Sequence, residues 1–228
     1  MRIYLIVLLT LIASIANGQH RKLRFPVWTF HQKNVDIYGV SLGLASTGAA
    51  VKNTYTTGIK IEIIGLGLFV PLISRSPVAE DDSAFHEIMS EPLSERINGL
   101  SLSASGSVCD CEINGGSFGI MGQIHRKVVG ISGAFFVNIS QVHHGIQSAF
   151  FNEAYKMRGL QIGMSNKSRD TRGIQLGLLT EAYRMRGLQI GVYNRSKDTR
   201  GIQFGLLNKN ERRLFPIVNW NFKRESGE

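Results

Sequence analysis

The sequence predicts an all-β protein, an antiparallel meander of about 10–12 short strands closed into a barrel. Three observations support this: a short internal repeat, alternation of apolar and polar residues within it, and a content of 25 glycines in 228 residues. Residues 153–180 and 181–208 are identical at 21 of 28 positions, and the motif G-[LI]-Q-[ILF]-G recurs inside them every 14 residues. A fixed short period is typical of architectures that stack one structural unit.

Each repeat contains a strand with two chemically different faces. Ile174, Leu176 and Leu178 alternate with Gln175 and glycines, and successive side chains of a strand point to opposite faces. We expect the aliphatic face to be buried, either against lipid outside a barrel or in a protein core. On that expectation, Gln175→Arg would be tolerated and Leu176→Arg would block folding.

The connections between strands favour a meander. Two turn sequences alternate along the repeats, as expected if one turn type lies at each end of the sheet. Pairing Leu160 with Leu178 across such a turn keeps the aliphatic faces aligned. The alternatives are an open β-repeat sheet or a parallel β-solenoid with a 28-residue coil. That coil would stack Arg158 on Arg186, and like charges directly opposite each other are destabilising.

The two ends of the chain differ from the repeats. Ile3–Ile15 is almost wholly apolar, and small residues precede a cleavage point before Gln19, which indicates a secretory signal peptide. The predicted organisation is a signal peptide at 1–18, an N-terminal extension at 19–35, a single β-repeat domain at 36–222 and a polar tail at 223–228. Within that domain, 72–96 is predicted as a long loop and 145–208 as the regular 14-residue repeats.

The positive charge is concentrated in the repeats. The formal net charge is +9, and residues 152–213 contain 13 basic and 5 acidic residues, a net charge of +8. Because an exported chain rarely meets nucleic acid, the expected partners are outer-membrane lipid or an anionic surface polysaccharide. The predicted anion-contacting rim is Arg169, Arg172, Lys197 and Arg200.

Further features favour a lipid-facing barrel. The repeats allow strands of about 9–11 residues, the length of a tilted membrane strand. Aromatic residues lie near strand ends, and the last strand ends in alternating Trp220 and Phe222. The sequence therefore predicts an outer-membrane barrel with a structural or narrow-pore role. The alternative is a secreted, extracellular or periplasmic β-repeat protein that binds an anionic or carbohydrate partner.

The sequence predicts no catalytic residues, metal site or cofactor, so the protein is predicted not to be an enzyme. Cys109 and Cys111 supply too few ligands for a metal, and they form either a small disulfide ring or free thiols. His143 and His144 are adjacent and would face opposite ways on a strand.

The most regular polar feature is the ladder Gln161, Gln175, Gln189 and Gln203. Its simplest interpretation is hydrogen bonding between strands along one sheet face. A polar lumen or a carbohydrate-contacting strip is the alternative.

The tandem G-[LIV]-Q-[ILF]-G-[LIV]-x-N units and the ending FPIVNWNF resemble a group of short-repeat surface proteins of Gram-negative bacteria. The resemblance covers roughly residues 98–222 and is most specific in the last 70 or so. It implies export and a cell-surface or outer-membrane setting. The family has no known catalytic residues that could be transferred to this chain.

Overall fold

The computed structural model describes residues 21–46 and 51–222, and these form a β-solenoid whose thirteen strands belong to one sheet. The predicted signal peptide, its cleavage point and the polar tail lie outside the described residues. The all-β prediction is confirmed. The strands are β1 Lys22–Arg24, β2 Val27–Thr29, β3 Val35–Gly43, β4 Thr54–Glu62, β5 Glu95–Ser103, β6 Val108–Gly119, β7 Gly122–Ala134, β8 Val137–Ser148, β9 Phe151–Ile162, β10 Ser165–Leu176, β11 Leu179–Ile190, β12 Tyr193–Lys209 and β13 Leu214–Asn221.

Consecutive strands from β3 to β12 pair in parallel. In the regular part, Ser165 pairs with Phe151 on one side and Leu179 on the other, so each 14-residue unit is one complete coil. At the N-terminal end, β1 and β2 lie in parallel on β3. At the C-terminal end, β13 pairs antiparallel with β12.

The predicted barrel and meander are therefore wrong. Among the described strands the order runs from β1 to β13 and does not close on itself. Leu160 pairs with Ile174 of the next coil rather than with Leu178. The solenoid alternative is correct in type, but its coil has 14 residues rather than 28. The two sequences predicted as turns lie inside strands, 152–158 in β9 and 166–172 in β10.

A glycine at the same position in every regular coil turns the chain around a corner. Gly187 has φ +138°, a conformation that L side chains rarely adopt. A Cβ at Gly187 would also lie 2.1 Å from the carbonyl oxygen of Gly173 in the preceding coil. Both restrictions select glycine, which explains why the motif repeats with the period of the coil.

The interior of the regular coils is polar. Gln161, Gln175, Gln189 and Gln203 are 0 % exposed. Each donates from Nε2 to the Oε1 of the glutamine one coil earlier, beginning at Gln147, over 2.7–2.9 Å. Such amide ladders require identical residues in parallel register and stabilise stacked strands. An antiparallel meander would set these glutamines opposite glycines, so the ladder explains why parallel stacking is preferred.

The aliphatic residues point outward, contrary to the prediction that they are buried. We define the aliphatic face as the two outward positions that follow each corner in β3 to β12. Ile174 and Leu176 are each 40 % exposed on this face. Its members are Val40, Leu42, Ile59, Ile61, Leu100, Leu102, Gly116, Phe118, Ile131, Gly133, Ile146, Ser148, Leu160, Ile162, Ile174, Leu176, Leu188, Ile190, Ile202 and Phe204.

The interior of the N-terminal coils holds a network of buried charges. Lys60 is fully buried and pairs with Glu62 over 3.0 Å and with Glu95. Ser46 and Ser107 donate hydrogen bonds to the Glu62 carboxylate over 2.6 and 2.8 Å. Burial by itself would raise the pKa of Glu62, but Lys60 and these hydroxyls hold it below its usual value. The core of this half therefore depends on paired charges rather than on aliphatic packing alone.

Two helices interrupt the solenoid between β4 and β5. A 3₁₀ helix spans Gly67–Leu72, and α1 spans Asp82–Ser90 inside the interval predicted as a long loop. Asp81 caps α1, because its Oδ1 accepts a hydrogen bond from the amide of Ala84 over 2.8 Å. We call residues 72–94 the insert. It crosses the side of the solenoid and reaches coils far along the chain.

Candidate anion-binding surface

Two columns containing cations run along β9 to β12. Residues 14 apart lie side by side in adjacent coils, separated by roughly the 4.8 Å spacing of strands. The first, which we call the Arg column, is Arg158, Arg172, Arg186 and Arg200. The second, which we call the mixed column, occupies an equivalent position in each coil and consists of Tyr155, Arg169, Tyr183 and Lys197.

The Arg column carries charge that its neighbours do not neutralise. Arg186 pairs with Asp198 through two contacts of 2.6 and 3.0 Å. Within 21–46 and 51–222, no ion pair holds Arg158, Arg172 or Arg200. Stacking like charges is tolerated here because Arg158 and Arg172 are exposed to solvent, where their repulsion is weak, and Arg186 is paired with Asp198. The result is a line of cations at a fixed spacing.

The mixed column alternates aromatic rings with cations. The Arg169 guanidinium lies 5.6 Å from the Tyr155 ring and 5.1 Å from the Tyr183 ring. The Lys197 ammonium lies 5.2 Å from the other side of Tyr183. Cations at these distances from a ring are attracted to it. Tyr183 is therefore held between two positive groups and remains 44 % exposed.

The insert covers the first member of this column. Phe85 of α1 stacks on Tyr155, with ring centroids 4.3 Å apart, and Asp82 accepts a hydrogen bond from the Tyr155 hydroxyl. Burial, together with that bond, raises the pKa of Tyr155 to about 12. Arg169 donates to the carbonyl of Glu80 over 2.6 Å, which fixes the insert beside the cations.

A groove of about 500 Å³ lies between the insert and the coils. Arg75 and Glu80 line it from the insert. The coil side offers Arg169, Tyr183 and Lys197, together with Glu181 and with Lys167, which pairs with Glu153 over 3.1 Å. A groove with several cations around one exposed ring is suited to an anionic ligand that also has an apolar surface, such as a charged sugar.

Phe85→Ala is expected to release α1 from the coils. Phe85 is 5 % exposed, so the change removes its stacking on Tyr155 and about 2–3 kcal/mol of local packing. Limited proteolysis should then cut within the insert faster than in the parent protein. Ser83→Ala, on the exposed side of α1, is the matched control and should leave the cleavage rate unchanged. Equal cleavage of both variants would show that Phe85 does not anchor the insert.

The structure divides the predicted rim between the two columns. Arg172 and Arg200 belong to the Arg column, whereas Arg169 and Lys197 belong to the mixed column and line the groove. The predicted glutamine ladder lies in the interior and presents no surface to a ligand. Sequence reasoning missed Tyr183, although its alternation with cations at 14-residue spacing could have indicated it.

Cys109 and Cys111 form a disulfide. His125 on the next coil pairs with Cys109, and one of its ring nitrogens lies within 4.8 Å of the two sulfurs. A metal would need two thiolates, which the disulfide removes. The 16-residue spacing from Cys109 to His125, about one coil, is the signal that could have found this histidine.

His143 and the acidic residues that begin α1 have structural roles. His143 is buried, and its Nε2 lies 2.8 Å from the Ser132 hydroxyl. Asp81 caps α1, and Asp82 bonds to Tyr155 and lies 3.7 Å from Arg184. In the part of the chain that the structure describes, the only cluster of three potential metal-ligating side chains is the cysteine pair with His125.

No protein-family model, curated protein or solved structure matches this chain. Its class therefore follows from its own structure: it is a β-solenoid repeat protein with 14-residue coils. Across 21–46 and 51–222, no helix has the length and apolar character needed to cross a membrane.

Proposed function

We propose that this protein is an exported, non-enzymatic β-solenoid of the bacterial surface that binds an anionic polysaccharide. The proposal replaces the outer-membrane barrel and pore, which the parallel, unclosed strand order contradicts. It retains the export and surface setting expected from the N-terminal sequence and from the resemblance to short-repeat surface proteins.

The observation that carries the proposal is the groove beside the mixed column. Arg169 and Lys197 lie on either side of the exposed Tyr183 ring, and Arg75 lines the same groove from the insert, whereas Lys167 is already paired with Glu153. The ring offers an apolar plane to a sugar, and the cations bind its carboxylate, sulfate or phosphate groups. Because the coils repeat at one spacing, a linear polymer with regularly repeated charges fits better than a compact ligand.

The binding test compares two variants of equal charge. Arg169→Gln with Lys197→Gln removes two cations from the groove, and Lys22→Gln with Lys33→Gln removes two exposed cations from the N-terminal coils. Affinity for a sulfated polysaccharide, measured by surface plasmon resonance, should fall by about tenfold or more in the groove variant, because each charge-assisted contact contributes roughly 1.5–3 kcal/mol. The N-terminal variant should change affinity by less than about twofold.

Three outcomes decide the matter. Selective loss in the groove variant, with a neutral dextran failing to bind, supports the proposal. Equal losses in both variants would show attraction by net charge alone. Absence of binding by the parent protein to sulfated, carboxylated and phosphorylated polysaccharides would refute the proposed function.

A further inference from the structure

The aliphatic face is an uncharged surface that runs the length of the solenoid. None of its positions from β3 to β12 carries a charge. Its two rows of outward residues continue into β13 through Val218 and Trp220. Exposure is substantial, with Ile131 at 47 % and Trp220 at 49 %. This surface is apolar without being a core, because the glutamine ladder and the hydrogen-bonded pairs Asn152–Asn166 and Asn194–Asn208 occupy the inside of the regular coils.

A ridge of apolar turns borders the far edge of this face. Backbone hydrogen bonds link the turns of successive coils, as from Phe150 to Phe135 over 2.9 Å and from Leu178 to Met164 over 2.9 Å. These turns are also open to solvent: Ile120 is 64 % exposed, Phe135 54 % and Leu178 48 %. The aliphatic face and this turn ridge therefore form one continuous apolar surface.

The size of this surface indicates an interaction. Ten coils at roughly 4.8 Å each give a length of about 50 Å, and the face with its ridge is about 15 Å wide. Single folded chains rarely leave apolar patches of more than a few hundred Å² open to water, and larger ones mark sites for proteins or membranes.

The positive charge at the other edge of the aliphatic face distinguishes between two possible partners, a second copy of this chain and a lipid membrane. Each arginine of the Arg column directly precedes a corner glycine, so this column borders the aliphatic face along β9 to β12. A second copy would bring the same uncharged face and an edge in which arginines outnumber carboxylates, since Asp198 is already paired with Arg186. A lipid surface supplies both an apolar layer for the face and phosphates for the arginines.

We propose that the aliphatic face and turn ridge dock onto a membrane that carries anionic lipid headgroups. The apolar side chains enter the boundary between headgroups and acyl chains, and the Arg column contacts the phosphates beside it. The strands lie along the membrane surface, and the interior ladders stay closed. This inference does not rest on polysaccharide binding, because the groove uses other residues on another side of the coil.

Vesicle flotation tests the proposal with the purified protein. We expect flotation with vesicles of phosphatidylcholine containing about one-third phosphatidylglycerol, and affinity weaker by about tenfold or more for phosphatidylcholine alone. Leu176→Gln with Ile190→Gln should reduce binding to both by about tenfold or more. Arg158→Gln with Arg172→Gln should remove most of the preference for the anionic vesicles. Tyr183→Gln is the matched control: it should keep vesicle binding and lose polysaccharide binding.

A native residue gives a readout that needs no substitution in the face. Trp220 lies beside Ile202 in the last strand pair and is half-exposed. Vesicles with brominated acyl chains should quench its fluorescence, and Trp220→Phe should abolish the quenched component while the signal of Trp28 stays. This measurement stands even if the Leu176 and Ile190 variant fails to fold.

Three results would contradict membrane docking. Absence of both flotation and quenching, or equal flotation of the parent protein and the Leu176 and Ile190 variant, would overturn membrane docking. So would a concentration-dependent dimer in light scattering that this variant abolishes, since a second copy would then cover the face.

Discussion

Gln175→Arg is expected to prevent the regular coils from folding. Gln175 is 0 % exposed, donates to Gln161 over 2.8 Å and accepts from Gln189 over 2.8 Å. Arginine would break the ladder on both sides and place a charge in a closed interior without a carboxylate partner in the adjacent rungs. The expected loss in the free energy of unfolding is on the order of 4 kcal/mol or more.

Leu176→Arg is the matched control, with the same residue introduced one position later. Because Leu176 is 40 % exposed on the aliphatic face, its replacement should change the free energy of unfolding by no more than about 1 kcal/mol. Urea unfolding followed by circular dichroism measures both. The opposite ranking, with Leu176→Arg unfolded and Gln175→Arg stable, would mean that the interior and exterior of the coils are reversed.

Acid is expected to destabilise the fold well above the range in which carboxylates titrate. Burial lowers the pKa of His125 to about 3 and of His143 to about 4, against an ordinary value of 6.5. Below pH 6.5 the unfolded chain binds two protons that the folded chain does not, so stability falls as the pH falls. Each histidine contributes about 1.4 kcal/mol per pH unit, or together about 4 kcal/mol between pH 7 and pH 5. The loss levels off only when the folded chain itself takes up these protons, near pH 3–4.

The Glu62 carboxylate acts in the same direction at lower pH. Its lowered pKa gives a contribution that is present above pH 4.5 and is lost on further acidification. Urea midpoints at pH 7 and pH 5 therefore test the histidines separately from this carboxylate. His125→Gln with His143→Gln should be less stable at pH 7 and should lose most of the pH dependence across that interval, the remainder coming from His144, whose pKa burial also lowers. An unchanged pH dependence in this variant would assign the effect to other groups.

The regular coils show how far sequence patterns reach. Strict 14-residue spacing and alternation after Gly173 are enough to predict β-strands and to place Ile174 and Leu176 on one face. The prediction that this face is buried is wrong because it assumes that aliphatic side chains, rather than glutamines, fill the interior. Glutamines at one even spacing can form a continuous amide ladder. In such a ladder each buried amide finds a hydrogen-bond partner in the next coil, which an isolated buried glutamine would lack.

The candidate site was only partly accessible from sequence. The excess of basic residues in 152–213 is visible in the sequence, and so are the four cations of the predicted rim, Arg169, Arg172, Lys197 and Arg200. Their division into two columns depends on where each coil bends, and the groove depends on the insert that Phe85 and Asp82 hold against Tyr155. A contact between residues 73 positions apart leaves no periodic trace.

The sequence by itself determined the β class, the 14-residue unit, the two chemically distinct strand faces and the basic character of the repeats. Those properties are local, because they follow from residue spacing and from the alternation of side chains along a strand. Only the tertiary structure decided that the strands stack in parallel, that glutamines lie inside and that the aliphatic face lies outside. Strand direction depends on hydrogen bonds between coils, and here the in-register amide ladders together with glycine corners at Gly173 and Gly187 favour the parallel coil.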